Sequence, residues 1–388
     1  MKTIQRGTID ILRSAITGER LHLPEDFDFA AAYPELRAHQ MDTLLFEGAV
    51  RCGVSRQLPI MQQLFRGYCA VLMKSETQLR HLDRITAAFE ENGIDYMLLK
   101  GSRMKARYPK PELRNMSDAD VLIRMEQYHK ISPVMESLGF QQKSETDHEL
   151  VWVADGLYLE LHKRLIPSYN KDFYAYFGDG WKLALPAHGH SYTMSAEDEF
   201  IYLFTHYAKH FRDGGIGCRH VVDLWVYLRA NPAMDMNRIR GELTKLYLDQ
   251  FFENTLALLD AWFGDREVDD KLRCMTDFIF ASGSYGKMDK HALSAALRDS
   301  DSTKGTDGKL HYVLSNAFPD VKTLEGKYTV LKKAPWMLPA VWVYRPFYKL
   351  LRERDDVRMH KAKLEQITTE GMTEHKKLLN YLGIDYHF

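Results

Sequence analysis

The stretch Asn115-Met116-Ser117-Asp118-Ala119-Asp120-Val121-Leu122-Ile123 constrains this chain more than any other. Two aspartates at i and i+2 open a run of apolar and β-branched residues, which reads as a buried strand. On a strand, positions i and i+2 point to the same side. Asp118 and Asp120 then aim two carboxylates at one point, while Ala119, Val121 and Ile123 face a core. Like charges held that close are costly unless a cation lies between them. The pair suits magnesium, which takes a few carboxylate oxygens together with substrate phosphates. The competing reading is a turn or a helix N-cap, both of which Asp favours; the segments on either side favour the strand.

Upstream, Tyr96-Met97-Leu98-Leu99 reads as a short buried strand, followed by Gly101-Ser102 and a helical turn from Arg103 to Tyr108. A strand, a glycine turn and a helix start together expose backbone N–H groups that suit a phosphate. Gly101 permits close backbone approach, Ser102 can donate a hydrogen bond, and Lys100 or Arg103 adds charge. Downstream, Glu149–Ala154 and Leu157–His162 flank Asp155-Gly156, a strong hairpin signal. In the second arm Leu157, Leu159 and Leu161 share one face; Tyr158, Glu160 and His162 share the other. Glu160 either faces solvent or supplies a third carboxylate to the metal set. His162 reads as a neighbour of that site or as a satisfied strand histidine, without direct chemistry. Three carboxylates facing one point repel each other when no metal is bound. Asp120→Asn is therefore expected to leave the metal-free protein equally or more stable.

These residues resemble the polymerase-β-type nucleotidyltransferase superfold, whose pattern is an apolar residue, Gly, then Gly or Ser; then Asp-x-Asp or Asp-x-Glu; then a third acid between apolar residues. Here the pattern is carried by Leu99-Lys100-Gly101-Ser102, Asp118-Ala119-Asp120 and Leu159-Glu160-Leu161. More narrowly, the chain resembles the bacterial uncharacterised nucleotidyltransferase family, through Leu99-Lys100-Gly101, Tyr108-Pro109, Arg114, Asp118-Ala119-Asp120-Val121-Leu122, Leu161-His162, His206 and Asp223. Ser117 stands where such proteins often carry Gly. The resemblance covers roughly residues 30 to 260. It implies transfer of a nucleotidyl group from an NTP with Mg2+ or Mn2+, and leaves the acceptor open. It casts Asp118, Asp120 and Glu160 as metal ligands and catalytic groups. A helical lobe beside such a core commonly touches the nucleotide, so His206, Lys209 and His210 are further candidate phosphate contacts.

The formal net charge of −1 argues against bulk attraction to nucleic acid or anionic lipid. The four cysteines, Cys52, Cys69, Cys218 and Cys274, form no Cys-x-x-Cys pair and read as reduced, mostly buried thiols of a cytoplasmic protein. The N-terminal stretch is amphipathic rather than a signal core, and no run approaches the length needed to span a bilayer. The oligomeric state is not legible.

The organisation reads as α+β: a small mixed sheet flanked by helical regions. Residues 1–85 form an N-terminal helical region, 86–190 the α/β core, 191–300 a helical lobe and 301–388 a C-terminal helical extension. Apolar spacing predicts helices over Ser75–Phe89, ending near Asn92-Gly93, and over Tyr128–Leu138, Asp198–Phe211, Val221–Ala230 and Arg238–Phe263. Ser195 and Asp198 look like a capping-box variant. His206 and His210 share a helix face, but Tyr207 stands where a zinc-protease helix needs Glu, so a polar face lining the cleft is the simpler reading. Arg219 and Asp223 read as an intrahelical or interhelical pair. Ser300–Gly308 reads as a loop. In Lys332–Arg352 prolines interrupt an aromatic and basic stretch, which fits packing on the helical lobe better than a membrane surface. Arg352–Leu382 reads as a charged helix. The rival functions are a non-catalytic nucleotide-binding or scaffold protein on the same fold, and a nucleotidyl-transferring toxin or antibiotic-modifying enzyme.

Overall fold

The alternation along the Asp-x-Asp segment is realised as strand β2 (Asp118–Ile123), whose Ala119, Val121 and Ile123 are fully buried in the core. The computed structural model describes residues 1–284, 286, 290–291, 293–294, 297, 317–324, 328, 330–352 and 368–384. These residues form two compact units: Met1–Ala208 with Ile216–Ser284, and Lys209–Gly215 with the described residues beyond position 285. The expected loop at 300–308 and residues 353–367 of the helix expected over Arg352–Leu382 lie outside the described residues.

In the first unit, helices α1 (Thr3–Thr17), α2 (Phe29–Leu36), α3 (Asp42–Arg51) and α4 (Pro59–Glu91) precede β1 (Tyr96–Leu98). Helix α5 (Lys100–Met104) leads to β2, and α6 (Tyr128–Ser137) to the strands β3 (Gln141–Glu145), β4 (Glu149–Ala154) and β5 (Leu157–His162). Helix α7 (Lys171–Phe177), β6 (Leu185–His188) and β7 (Ser191–Thr193) follow. Then come α8 (Ala196–Asp213), α9 (Cys218–Ala230), α10 (Met236–Lys245), α11 (Asp249–Phe263) and α12 (Asp270–Ser282). The seven strands form one mixed sheet in the order β3-β4-β5-β2-β1-β7-β6. The chain is thus α+β with a mixed sheet, as the sequence predicts. Strands β3, β6 and β7 escape the sequence reading: β3 is exposed and has no apolar residue, and β6 and β7 are short.

Strand β2 pairs with β5 in parallel and with β1 antiparallel, so it sits mid-sheet. Its apolar face joins Leu157, Leu159 and Leu161 of β5, Trp152 of β4, and Leu82, Ile85 and Phe89 of α4. Hydrophobic burial of these side chains is what pins the register, because a one-residue slip would turn Asp118 and Asp120 into the core. The hairpin β4–β5 turns at Asp155-Gly156, both in the left-handed region (φ 46° and 78°), as a two-residue hairpin turn requires.

Several boundaries differ from expectation. Helix α4 runs 33 residues, because Pro59 starts it at a position where a missing N–H costs nothing. The single helix expected over Arg238–Phe263 is two, α10 and α11, broken where Tyr247 adopts φ 55° without any Gly or Pro to announce it. Asp198 does cap with Ser195, but it accepts from the Ser195 hydroxyl (2.7 Å), while the Ser195 Oγ accepts from the Asp198 N–H (3.1 Å). All four cysteines are free, yet only Cys218 is fully buried.

In the second unit Leu324, Leu331 and Val341 form a small core against which Met337, Leu338 and Trp342 pack. Here Leu338–Arg352 is one 15-residue helix. Pro339 sits in its first turn, where proline is tolerated, and Pro346 is carried inside it, so the prolines do not break the segment as expected. A further helix covers Thr369–Tyr381. No helix among the described residues is long and apolar enough to cross a membrane.

Candidate active site

Parallel register between β2 and β5 sets Asp120 directly beside Glu160, with Asp118 beside Tyr158 and Leu122 beside His162. Because both strands alternate, Asp118, Asp120, Glu160 and His162 lie on the face opposite the core. Asp120, Glu160 and His162 offer ligand atoms within 4.8 Å of one another; Asp118 is not part of that cluster. Asp118 is tied to it by charge: burial, then Asp120 and Glu160, push its carboxyl up to about 6, with Lys100 opposing.

Asp120 is held from two sides. The Lys100 Nζ donates to its Oδ1 at 2.7 Å, and His162 Nε2 lies 2.8 Å from the same oxygen. Burial by itself would raise the Asp120 carboxyl, but Lys100 and His162 outweigh it and hold it well below the usual carboxylate range. Burial likewise works against the charge on Lys100, and Asp120 overcomes it. His162 is pushed down by burial and by Lys100, yet its bonds to Asp120 and Glu160 (3.5 Å) leave it above the ordinary imidazole value. Tyr202 of α8 feels Lys100, Asp120 and Glu160 and walls the cluster.

The turn from β1 into α5 delivers Lys100. Its φ of 39° is a left-handed conformation unusual for a side-chain-bearing residue, of the kind found at functional sites. Leu99 N–H donates to the Asp120 carbonyl (3.0 Å), so the ladder continues up to the turn. The helix starts at Lys100 rather than Arg103. Gly101 follows in its first turn, and the close approach it allows is to Met116, whose Cγ and Sδ would lie 3.2 Å from an added Cβ. Ser102 Oγ faces the same sulfur at 3.9 Å.

The loop ahead of β2 is clamped. Asp223 of α9 accepts from Arg114 Nε (2.7 Å to Oδ1, 3.0 Å to Oδ2) and from the Tyr108 hydroxyl (2.6 Å), all buried. Arg219 donates to the Asn115 carbonyl (3.2 Å), and Arg114 Nη1 donates to that carbonyl too. The Asp-x-Asp strand therefore starts from a fixed point.

A family model described as "Uncharacterised nucleotidyltransferase" matches residues 25–264. The chain belongs to that family. It is an enzyme of the nucleotidyltransferase type. No curated protein matches it. Among solved structures it is similar to the antibiotic-resistance factor ANT(2'')-Ia, at 16% identity over 48% of this chain and 96% of that one, with a TM-score of 0.33. So slight a likeness bears on neither substrate nor mechanism.

This nucleotidyltransferase places the remaining sequence candidates less uniformly. Arg103 grips Glu199 through Nε (2.8 Å) and Nη2 (3.2 Å), and Arg107 and Tyr227 share that carboxylate. His206 stands one turn beyond Tyr202 on α8, ring centroids 6.4 Å apart. Lys209 and His210 belong to the second unit. Two cations went unnoticed in the sequence. Lys74 of α4 lies within electrostatic reach of Asp118 and Arg219, and the buried Lys105 donates to Ser75 Oγ (2.6 Å). Neither stands in a motif. His162 does carry a signal, since the alternation that exposes Glu160 places it on the same face.

The donor set fits a divalent cation of the magnesium class. Burial first, and then the charges of Asp120 and Glu160, raise the Asp118 carboxyl, and oxygen ligands facing one side of a sheet are what such an ion takes.

Proposed function

We propose that this chain moves a nucleoside monophosphate from an NTP to a hydroxyl-bearing acceptor, a small molecule or a protein, with Mg2+ or Mn2+ held by Asp118, Asp120 and Glu160. The observation that carries this reading is the β2–β5 register, which sets Glu160 beside Asp120 with Asp118 two residues upstream. A bound divalent ion supplies charge neutralisation for the triphosphate and a lowered pKa for the acceptor hydroxyl. The acceptor oxygen forms a bond to the α-phosphorus and pyrophosphate leaves. Glu160, more exposed than Asp120 (24% against 7%), takes the hydroxyl proton. Lys100 exchanges its Asp120 partner for the triphosphate, and Gly101, Ser102 and Lys74 line the approach. Arg103 and His206 are outer candidates for nucleotide contact; Arg103 must give up part of its grip on Glu199 to serve. Positioning and charge carry such transfers, so a clamped β2 is part of the machinery.

Nucleotide and metal together are expected to raise the melting temperature by several degrees, since both bind only the folded state. If no NTP moves the melting curve with either metal, the reading fails. Glu160→Gln keeps size and hydrogen bonding but loses the charge. It is expected to bind NTP near-normally and to transfer roughly 100-fold more slowly, because the lost interaction acts chiefly in the transition state. Unchanged turnover, read as pyrophosphate release, would return Glu160 to a bystander on a strand.

A further inference from the structure

Beyond the carboxylates, the same face of the sheet carries a second convergence of donors that the transfer reaction does not use. Glu149 opens β4 and is the direct cross-strand partner of His162, and His148 immediately precedes it. His148 Nε2 lies 3.2 Å from His162 Nδ1. Glu149 Oε2 stands 3.8 Å from His148 Nε2 and 3.9 Å from His162 Nδ1, nearly equidistant and outside hydrogen-bond reach of both. We propose that His148, Glu149 and His162 form a binding site for a transition-metal ion of the zinc class, separate from the magnesium-type site and coupled to it through His162.

The donor chemistry separates the two sites. Two imidazoles and one carboxylate suit zinc and its borderline neighbours, whereas magnesium prefers oxygen. Three protein ligands with room for a fourth from solvent is the make-up of an open zinc site. Tetrahedral bonds of about 2.1 Å place ligand atoms about 3.4 Å apart. The three separations found, 3.2, 3.8 and 3.9 Å, bracket that value. A hydrogen bond between the two rings accounts for the shortest distance alone. The carboxylate oxygen stands midway between the two nitrogens at ion-pair rather than hydrogen-bond distance, a position from which one ion could be shared by all three groups.

The surroundings complete the case. A metal-bound imidazole usually gives its other ring N–H to a carboxylate, which fixes its tautomer. His162 has this arrangement: Nε2 faces Asp120 Oδ1 at 2.8 Å, leaving Nδ1 turned toward His148 and Glu149. His162 is 1% exposed, His148 13% and Glu149 24%, so the site is anchored inside and open to solvent on one side. An ion there would lock the His162 ring and with it the hydrogen bond on Asp120. Zinc occupancy would in this way bias the carboxylate that the transfer reaction needs.

The test uses the full-length chain, stripped of metal and free of nucleotide, titrated with ZnCl2 by calorimetry and with Co2+ by visible absorption. With millimolar Mg2+ present throughout to hold the carboxylate site, one ion per chain is expected, with the intense visible bands of four-coordinate cobalt. His148→Ala and Glu149→Gln should each weaken zinc binding by roughly 10-fold or more, while Asp118→Asn, outside the triad, leaves it unchanged. Circular dichroism checks that the variants fold; Glu149→Gln is the milder change. Absence of stoichiometric binding overturns the proposal, as does binding that survives both triad variants or is lost in Asp118→Asn. Because the readout is zinc alone, a failed nucleotide assay leaves this result standing, and the reverse also holds.

Discussion

Asp120→Asn is expected to abolish transfer and also to destabilise the metal-free protein. Loss of a carboxylate from the proposed metal set should cut turnover by roughly 1000-fold or more, as removal of a preorganised charge does in comparable sites. The stability effect reverses the expectation from charge counting alone. Three acids converging without a metal suggest that removing one relieves repulsion. In the fold, however, Asp120 is 7% exposed and is the partner of a Lys100 ammonium that is itself 15% exposed. Neutralising Asp120 leaves that ammonium buried and without its anion, a change that costs about 3–5 kcal/mol in such settings. His162 loses its charged acceptor at the same time. A fall in melting temperature of roughly 6–10 °C follows for a unit of this size. A melt unchanged from the parent would show that Lys100 finds another anion, and residual transfer near the parent rate would remove Asp120 from the metal set.

Asp223→Ala is expected to cost about 3–5 kcal/mol although Asp223 touches neither metal nor nucleotide in the proposed reaction. Its carboxylate satisfies Arg114 twice and Tyr108 once inside the protein. Truncation strands a guanidinium and a hydroxyl together, and each stranded group keeps its desolvation penalty. Urea melts of Asp223→Ala, Arg114→Met and the double variant measure the coupling. The double should recover much of the loss, because an apolar replacement of both partners removes the unpaired charge. Purely additive losses would show that the two residues do not act as a pair. Transfer should fall in Asp223→Ala with kcat affected more than KM, since the start of β2 loosens while the phosphate groups remain.

What the sequence by itself determined was local. Period-two alternation fixes which face of β2 and β5 each residue takes, since Ala119, Val121 and the β5 leucines cannot be turned to water without large loss. Asp155-Gly156 sets the hairpin through its backbone preferences, and the flanking strands come out at the predicted limits. Family membership was legible for the same reason, as its motif lies in short contiguous runs. Tertiary structure decided everything that depends on pairing at a distance. No local pattern says that β2 lies parallel to β5, and only that register places Glu160 beside Asp120. Lys100 reads as a phosphate contact in the sequence; only the left-handed turn shows that its ammonium also sits on Asp120. Asp223 reads as the partner of Arg219 four residues earlier, yet packing gives it Arg114, 109 positions away. His162 looks incidental until strand pairing brings Asp120 to one ring nitrogen and His148 to the other. Side-chain alternation is written into the covalent chain, whereas the charge partners of a buried group are chosen by whichever strands and helices the core brings together.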